Sequence, residues 1–290
     1  MRTACVTMVW KDHFFLDLWV RYYGALFGRD ALYVISHGGA PEVAEIARGC
    51  NVIAIPRDPP DERFDETRWD MLSDWASGLT RYYDRVIVGD VDELIISLTP
   101  GESLATHLQQ AELGPVTAPA GYEIVPEDDT PLDPVRPILD QCPRALLSAT
   151  YSKPCLLVAP ARLSAGGHGC KGRFDLRPEL ALLHLRFLNS EEQLQRRAER
   201  SRIAEAATAG SDRARGSFLR GWRKGEEIRQ KIAARFAAAE DVPSSQAADR
   251  ARAVLEGARK TKGQTHLFSV PAVRADDFRI LLDPALRELF

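Results

Sequence analysis

The segment GDVDEL, residues 89–94, places three carboxylates directly after an aliphatic run at 86–88 that predicts a buried strand. In an extended chain, residues two apart lie roughly 6.5–7 Å apart on one side, so Asp90 and Asp92 face the same way. Two carboxylates at this spacing repel each other, and a divalent cation removes the repulsion. Oxygen ligands at a strand end suit Mn²⁺ or Mg²⁺ shared with the phosphates of a substrate. Glu93 adds a third acid to the same segment.

The alternative is a turn with two solvated aspartates. The elements that precede the motif favour a functional role for the carboxylates. Hydrophobic patterns predict strands at 3–10, 31–39, 50–56 and 85–90, alternating with helices at 13–28, 41–49 and 65–83. This alternation predicts an α/β fold with a mostly parallel sheet flanked by helices. In such sheets, ligands bind beyond the carboxyl ends of the strands, where the three carboxylates fall.

The rest of the chain differs in character from this first part. Residues 114–160 are rich in proline and predict an irregular β region with long loops. After residue 189 the sequence becomes highly charged and helical in pattern. We therefore predict one domain over residues 1–189 and a helical C-terminal region over residues 190–290.

Composition excludes several classes of protein. The 290 residues include 38 Lys and Arg against 41 Asp and Glu, so no basic field favours nucleic acid as a partner. The five cysteines form no Cys-x-x-Cys pair, which indicates reduced thiols. No apolar stretch reaches the length of a membrane span, and no secretory signal opens the sequence. We expect a cytoplasmic protein.

Five segments, in this order, resemble the family-2-like glycosyltransferases that use nucleotide-sugars and have a GT-A fold. The segments are VTMVWKDHFFLDLWVRYYGALFG, VIVGDVDEL, YSKPCLL, GGHG and HLRF, and the resemblance covers residues 3–190 approximately. It implies transfer of a sugar from a nucleotide-sugar donor, with a UDP-sugar as first candidate, to a hydroxyl of a glycan or lipid-linked acceptor. The implied setting is glycan or surface-polysaccharide synthesis.

The resemblance also implies roles for individual residues. Asp92 would bind the Mn²⁺ or Mg²⁺ that bridges the diphosphate of the donor. Asp90 would reach the metal through water, or contact the ribose or sugar of the donor. Lys11 and Asp12, which follow the first predicted strand, would lie near the nucleotide.

Two histidines and one lysine complete the expected donor site. From its pattern alone, His184, in LALLHLRFL, is a hydrogen-bonded core histidine, whereas the order of motifs in the resemblance implies that it is a metal ligand. His168, in the glycine-rich loop AGGHGCKG, is the expected donor or acceptor contact, and the two histidines could exchange roles. Lys153 is interpreted as a phosphate or sugar contact, with a solvated lysine as the alternative.

Acidic residues that follow the GDVDEL segment are candidates for the general base of an inverting transfer. Glu127 and Asp128, in PEDD, are the first candidates, while Glu123 and Asp175 are alternatives, and a plain acidic loop remains open.

Aromatic and basic residues cluster in the C-terminal region, where Trp222 lies among Arg220, Arg223 and Lys224. This patch could contact a membrane surface peripherally or bind a charged glycan, and a solvated helical face is the alternative.

Two other functional classes remain as alternatives. A non-catalytic protein of the same fold would bind a nucleotide-sugar or a glycan without turnover. A metal-dependent phosphoryl enzyme is disfavoured, because Leu94 occupies the position where the haloacid-dehalogenase pattern DxDx[TV] requires Thr or Val. A nucleotidyltransferase is also disfavoured, because the segment TMVWKDHFF lacks the loop rich in glycine and basic residues that such an enzyme carries after its first strand.

Overall fold

The structure is a computed structural model. It describes residues 1–57, 63–128, 130–133, 135–188, 195, 198–203, 225–256, 260–262, 267–269 and 278–290. The basic patch around Trp222 lies outside these ranges, so the predicted membrane contact is not addressed by the structure. Within them, no helix has both the length and the apolar character needed to cross a membrane.

The first part of the chain alternates strands and helices in the predicted order. Its elements are β1 (Thr3–Val9), α1 (His13–Phe27), β2 (Leu32–His37), α2 (Pro41–Ile46), β3 (Asn51–Ile55), α3 (Phe64–Leu79) and β4 (Arg85–Val88). β1 is buried along its whole length, because its sequence TACVTMV has no charged residue and the strand is central in the sheet.

These four strands pair in parallel in the order β3-β2-β1-β4. The chain moves outward from β1 to β3 and then returns to the other side of β1. The carboxyl ends of β1 and β4 therefore form the switch point at which ligands bind in sheets of this kind. The acidic segment that follows β4 begins at this point.

The middle of the chain adds strands of both directions. Its elements are β5 (Glu93–Ser97), α4 (Leu104–Gln110), β6 (Val116–Ile124), α5 (Ile138–Gln141), β7 (Arg144–Leu147), β8 (Leu156–Leu157), β9 (Gly169–Lys171) and β10 (Asp175–His184). β8 pairs antiparallel with both β4 and β6, and β10 lies between a parallel β6 and an antiparallel β5.

The described residues after position 190 are not purely helical. They form α6 (Gly225–Ala238), β11 (Glu240–Pro243), α7 (Ser244–Glu256), β12 (Lys260–Lys262), β13 (Leu267–Ser269), β14 (Phe278–Leu281) and α8 (Pro284–Arg287). β14 pairs with β7 and β11, so the C-terminal region extends the main sheet, while β12, β13 and β9 form a small second sheet. The described part of the C-terminal region therefore contains the expected helices together with strands that were not predicted, because short strands such as FRIL give little signal within a charged sequence.

The main sheet is mixed but mostly parallel. Among its described strands, only β5, β7 and β8 run opposite to β1. Helices flank this sheet, and the predicted α/β class is confirmed in this coarse form. The carboxyl ends of β1, β4, β6 and β10 consequently lie at one edge of the sheet, together with the first residue of the antiparallel β5.

Candidate active site

Three polar side chains form a row where β5, β10 and β6 lie side by side. His184 on β10 is the cross-strand partner of Glu93 on β5 and of Glu123 on β6. Residues opposite each other on neighbouring strands point to the same face of the sheet. All three are buried, so each needs a polar or charged partner.

The imidazole of His184 bridges two carboxylates. Its Nδ1 lies 2.8 Å from Oε2 of Glu123, and its Nε2 lies 3.6 Å from Oδ2 of Asp92. The ring also stacks on Tyr151, with 3.9 Å between the ring centroids. Burial opposes a charge on His184, but its neighbours, including Glu123 and Asp92, outweigh burial and raise its pKa above the ordinary value. The structure thus brings together His184 and Asp92, the pair expected to share a metal.

Asp90 has different partners. Its Oδ1 accepts a hydrogen bond from the guanidinium of Arg68 on α3, and its Oδ2 lies 3.3 Å from Nζ of Lys153. Burial opposes ionisation of Asp90, but these two cations outweigh burial and hold its pKa below the ordinary value. Asp90 is therefore ionised at neutral pH, and it faces protein cations rather than His184.

Lys153 is buried inside the acidic cluster, by which we mean Asp90, Asp92 and Glu93. Its Nζ lies 2.5 Å from Oε1 of Glu93, and its side chain is 2% exposed. Burial opposes the charge of Lys153, but Glu93 and Asp90 outweigh burial and raise its pKa. The alternative of a solvated lysine is therefore wrong.

A cavity of about 670 Å³ opens beside the acidic cluster. Its volume is in the range of ligand-binding pockets. Six cationic side chains contribute to its lining, namely Arg57, Arg68, Lys153, Arg186, Arg200 and Arg229. Four of these six cations are paired with carboxylates that line the same cavity. Arginine binds phosphates through its fixed fork of donors, so the cationic side chains can contact an anionic group such as a diphosphate.

Flat side chains gather in the part of the cavity formed by the ends of β1, β2 and β3. The guanidinium carbon of Arg57 lies 3.7 Å from the ring centroid of Trp10 and 5.2 Å from that of Phe64. The ring of His37 stacks on Phe64, with 5.6 Å between centroids and 13° between planes. All four residues line the cavity. Flat faces of this kind suit a planar ring such as a nucleobase.

His168 lies at the cavity but contacts the backbone rather than an acid. Its Nδ1 lies 2.7 Å from the carbonyl oxygen of Thr150. Burial and the nearby charge of Lys153 lower the pKa of His168 to about 3, so the ring is neutral. A neutral ring that donates from Nδ1 presents Nε2 as an acceptor. Of the two candidate histidines, His184 is the one in contact with Asp92.

The helical segment 198–203 approaches the loop after β1. Nζ of Lys11 lies 3.1 Å from Oε1 of Glu199, and Arg200 donates to Oδ2 of Asp12 at 2.7 Å. Asp12 and Arg200 both line the cavity. The two residues expected near the nucleotide are thus tied to the C-terminal region, which contributes to the cavity wall.

The residues expected to act as general base lie elsewhere. Glu127 pairs with Arg144 at 2.5 Å, and Oδ1 of Asp128 accepts the backbone N–H of Thr130 at 2.8 Å. Both side chains are exposed, and neither lines the cavity. Glu123 is bonded to His184, while Asp175 begins β10 at the end opposite His184. The structure does not bring these acids to the cavity as free bases.

Arg68 is the main site residue that the sequence analysis missed. The sequence does contain a signal for it, because an acid and an arginine three residues apart on a predicted helix are able to pair. In the structure, Asp65 and Arg68 on α3 form this ion pair at 3.4 Å. The first turn of this helix lies beside the carboxyl edge of the sheet, where both residues line the cavity. The pairing of Arg68 with Asp90 had no local signal, since it depends on how α3 packs.

The geometry of Asp92 and His184 fits a divalent cation. Ligand atoms of Asp92, His184 and Glu93 all lie within 4.8 Å of one another. A cation with ligand distances of about 2.0–2.2 Å can contact two atoms separated by 3.6 Å. Glu123 holds the other nitrogen of His184, an arrangement typical of metal-binding histidines, since it fixes the tautomer and the ring orientation.

No protein-family model matches this chain, and no curated protein matches it.

Proposed function

We propose that this protein is a metal-dependent glycosyltransferase with a GT-A-type fold. It transfers a sugar from a nucleotide-sugar, with a UDP-sugar as the first candidate, to a hydroxyl group of a glycan or lipid-linked acceptor. The observation that carries the proposal is the line Glu123–His184–Asp92 at the carboxyl edge of the sheet, with contacts of 2.8 and 3.6 Å. It supports a metal site at the position where a DxD motif follows the fourth strand.

Asp92 and His184 would hold Mn²⁺ or Mg²⁺, and Asp90 would reach the ion through water. When bound, the ion supplies a Lewis acid that takes up charge as the nucleoside diphosphate leaves. Glu123 orients His184 through Nδ1, and Arg68 holds Asp90 in place.

The cavity offers places for both ends of the donor. Arg57, Trp10 and Phe64 present flat faces for the nucleobase, at the ends of the first three strands. Cations nearer the acidic cluster, including Arg68 and Arg186, would contact the diphosphate and the sugar. This order along the cavity supports a nucleotide-sugar over a simple phosphate ester.

Asp65 replaces the exposed acids as the candidate general base. It lines the cavity with 17% of its side chain exposed. Burial raises the pKa of Asp65, although Arg68 opposes the shift. A raised pKa brings a carboxylate closer to the value suited to accepting a proton from an acceptor hydroxyl.

Thermal unfolding with UDP, GDP and UDP-sugars, each with and without Mn²⁺, tests the proposal. A ligand at 100 times its Kd stabilises by about 2.7 kcal/mol, which raises the midpoint of a 290-residue chain by roughly 4–5 °C. We expect such a shift for one nucleotide in the presence of Mn²⁺, and its loss in Asp92→Asn. Asp17→Asn, at an exposed ion pair on α1, is the matched control.

Sugar transfer or donor hydrolysis is measured in the same variants. Turnover that requires Mn²⁺ and is lost in Asp92→Asn supports the enzyme. Near-wild-type turnover in Asp92→Asn contradicts the mechanism. Binding of the nucleotide-sugar without transfer or hydrolysis would favour the alternative of a non-catalytic binding protein.

A further inference from the structure

Lys153 is a charged side chain that the protein has placed among acids and away from water. Its Nζ lies 2.5 Å from Glu93 and 3.3 Å from Asp90. The ammonium also lies 5.1 Å from the ring centroid of Tyr151 and 5.6 Å from that of Trp69. Such aromatic faces favour a cation. Lys153 thus has stabilising partners on several sides.

The backbone around Lys153 is held as firmly as its side chain. Gly121 on β6 donates its N–H to Oγ of Ser152 at 3.0 Å. A Cβ at position 121 would lie 2.2 Å from the carbonyl carbon of Tyr151, so only glycine allows this close approach. On the other side, the N–H of Val88 on β4 donates to the carbonyl of Cys155 at 2.9 Å. Contacts with two strands therefore fix where the ammonium lies.

Two carboxylates would be costly here without this lysine. Glu93 is 2% exposed and Asp90 is 23% exposed. A buried charge without a partner destabilises a protein, while one that is paired and hydrogen-bonded is tolerated. A divalent cation is the other species that could neutralise such a pair of acids.

We propose that Lys153 is a positioning residue that acts as a resident cation, occupying the charge position of a second metal ion. It holds Asp90 and Glu93 out of direct metal coordination, so that the cluster binds a single divalent cation through Asp92 and His184. The single-ion statement rests on the proposed metal site. The pairing of Glu93 with a buried counter-charge is independent of it.

The first measurement is the number of Mn²⁺ ions bound per chain, by isothermal titration and electron paramagnetic resonance. The wild-type protein binds one ion at the cluster. Lys153→Met removes the charge with little change in length, and it lowers the unfolding midpoint by about 5–8 °C without metal. Added Mn²⁺ restores much of this loss, because a second ion now binds at Asp90 and Glu93.

The double variant Lys153→Met with Glu93→Gln removes both charges together. Without metal, it recovers most of the unfolding midpoint that Lys153→Met loses, and it again binds a single Mn²⁺ ion. Lys231→Met is the matched control, because Lys231 forms an ion pair of the same 2.5 Å length with Glu227 on the surface. This control leaves both the midpoint and the number of ions unchanged.

Several results would overturn the inference. Two ions in the wild-type protein, or a wild-type midpoint in Lys153→Met, would do so. If Lys153→Met does not fold even with Mn²⁺, failure of the double variant to recover also contradicts it. Absence of Mn²⁺ binding by the wild-type protein would instead remove the proposed metal site, and recovery in the double variant would still decide the role of Lys153 as counter-charge.

Discussion

Glu123→Gln is the perturbation that isolates the support of His184 from the metal ligands themselves. Glutamine has nearly the same shape and keeps one oxygen that can accept a hydrogen bond from Nδ1–H of His184. It removes the negative charge, and charge-assisted hydrogen bonds are roughly twice as strong as neutral ones. Glu123 is 3% exposed, so solvent does little to compensate for the change.

The expected magnitude follows from the 2.8 Å contact between Glu123 and Nδ1 of His184. Removing such a partner of a metal-binding histidine weakens metal affinity about 10- to 100-fold. This corresponds to about 1.4–2.7 kcal/mol of binding free energy. The fold should persist, because the side-chain volume near the carboxyl end of β6 is retained.

Mn²⁺ affinity is measured by isothermal titration at neutral pH, with near-ultraviolet circular dichroism as the check of folding. Glu127→Gln is the matched control, because it makes the same change four residues later at an exposed ion pair. We expect the control to bind Mn²⁺ as the wild type does. Unchanged affinity in Glu123→Gln, together with loss of binding in Asp92→Asn, would refute the assignment of His184 as a ligand.

Two further predictions concern stability. Gly121→Ala forces a Cβ to 2.2 Å from the backbone of Tyr151 and should lower the free energy of unfolding by about 3 kcal/mol in urea titrations. Gly78→Ala, on α3 with no atom within 4 Å of its Cβ position, should instead be neutral or stabilising by up to about 1 kcal/mol, and equal effects at both sites would contradict the packing argument. The second prediction concerns Glu102. Burial opposes its ionisation, but hydrogen bonds with Ser97 and His107 outweigh burial and lower its pKa. The resulting stability is present above the unfolded pKa and is lost as the pH falls through the folded pKa, so Glu102→Gln should be less stable than the wild type at pH 6 and approach it in acid. The free energy of unfolding of both proteins is measured by urea titration across the acid range. A difference between wild type and Glu102→Gln that stays constant with pH would show that ionisation of Glu102 does not contribute to stability.

Much of the fold could be predicted from the sequence, because its signals are local. The run TACVTMV predicts a buried strand, and the order of strands and helices up to β4 follows from hydrophobic spacing. The position of Asp90 and Asp92 after β4 has the same origin. The C-terminal strands were missed, because pairing of β14 with β7 joins segments more than 100 residues apart and leaves no periodic pattern in a charged sequence.

The sequence by itself determined the α/β class and the position of the acidic motif at the carboxyl edge of the sheet. Only the tertiary structure decided which side chains meet there. Glu123 and His184 are 61 residues apart, and Lys153 and Asp90 are 63 apart. The first contact depends on the register of β6 against β10, and the second depends on a loop that approaches Gly121 closely. Strand register and loop packing are set by the whole sheet, so no local stretch of sequence encodes either contact.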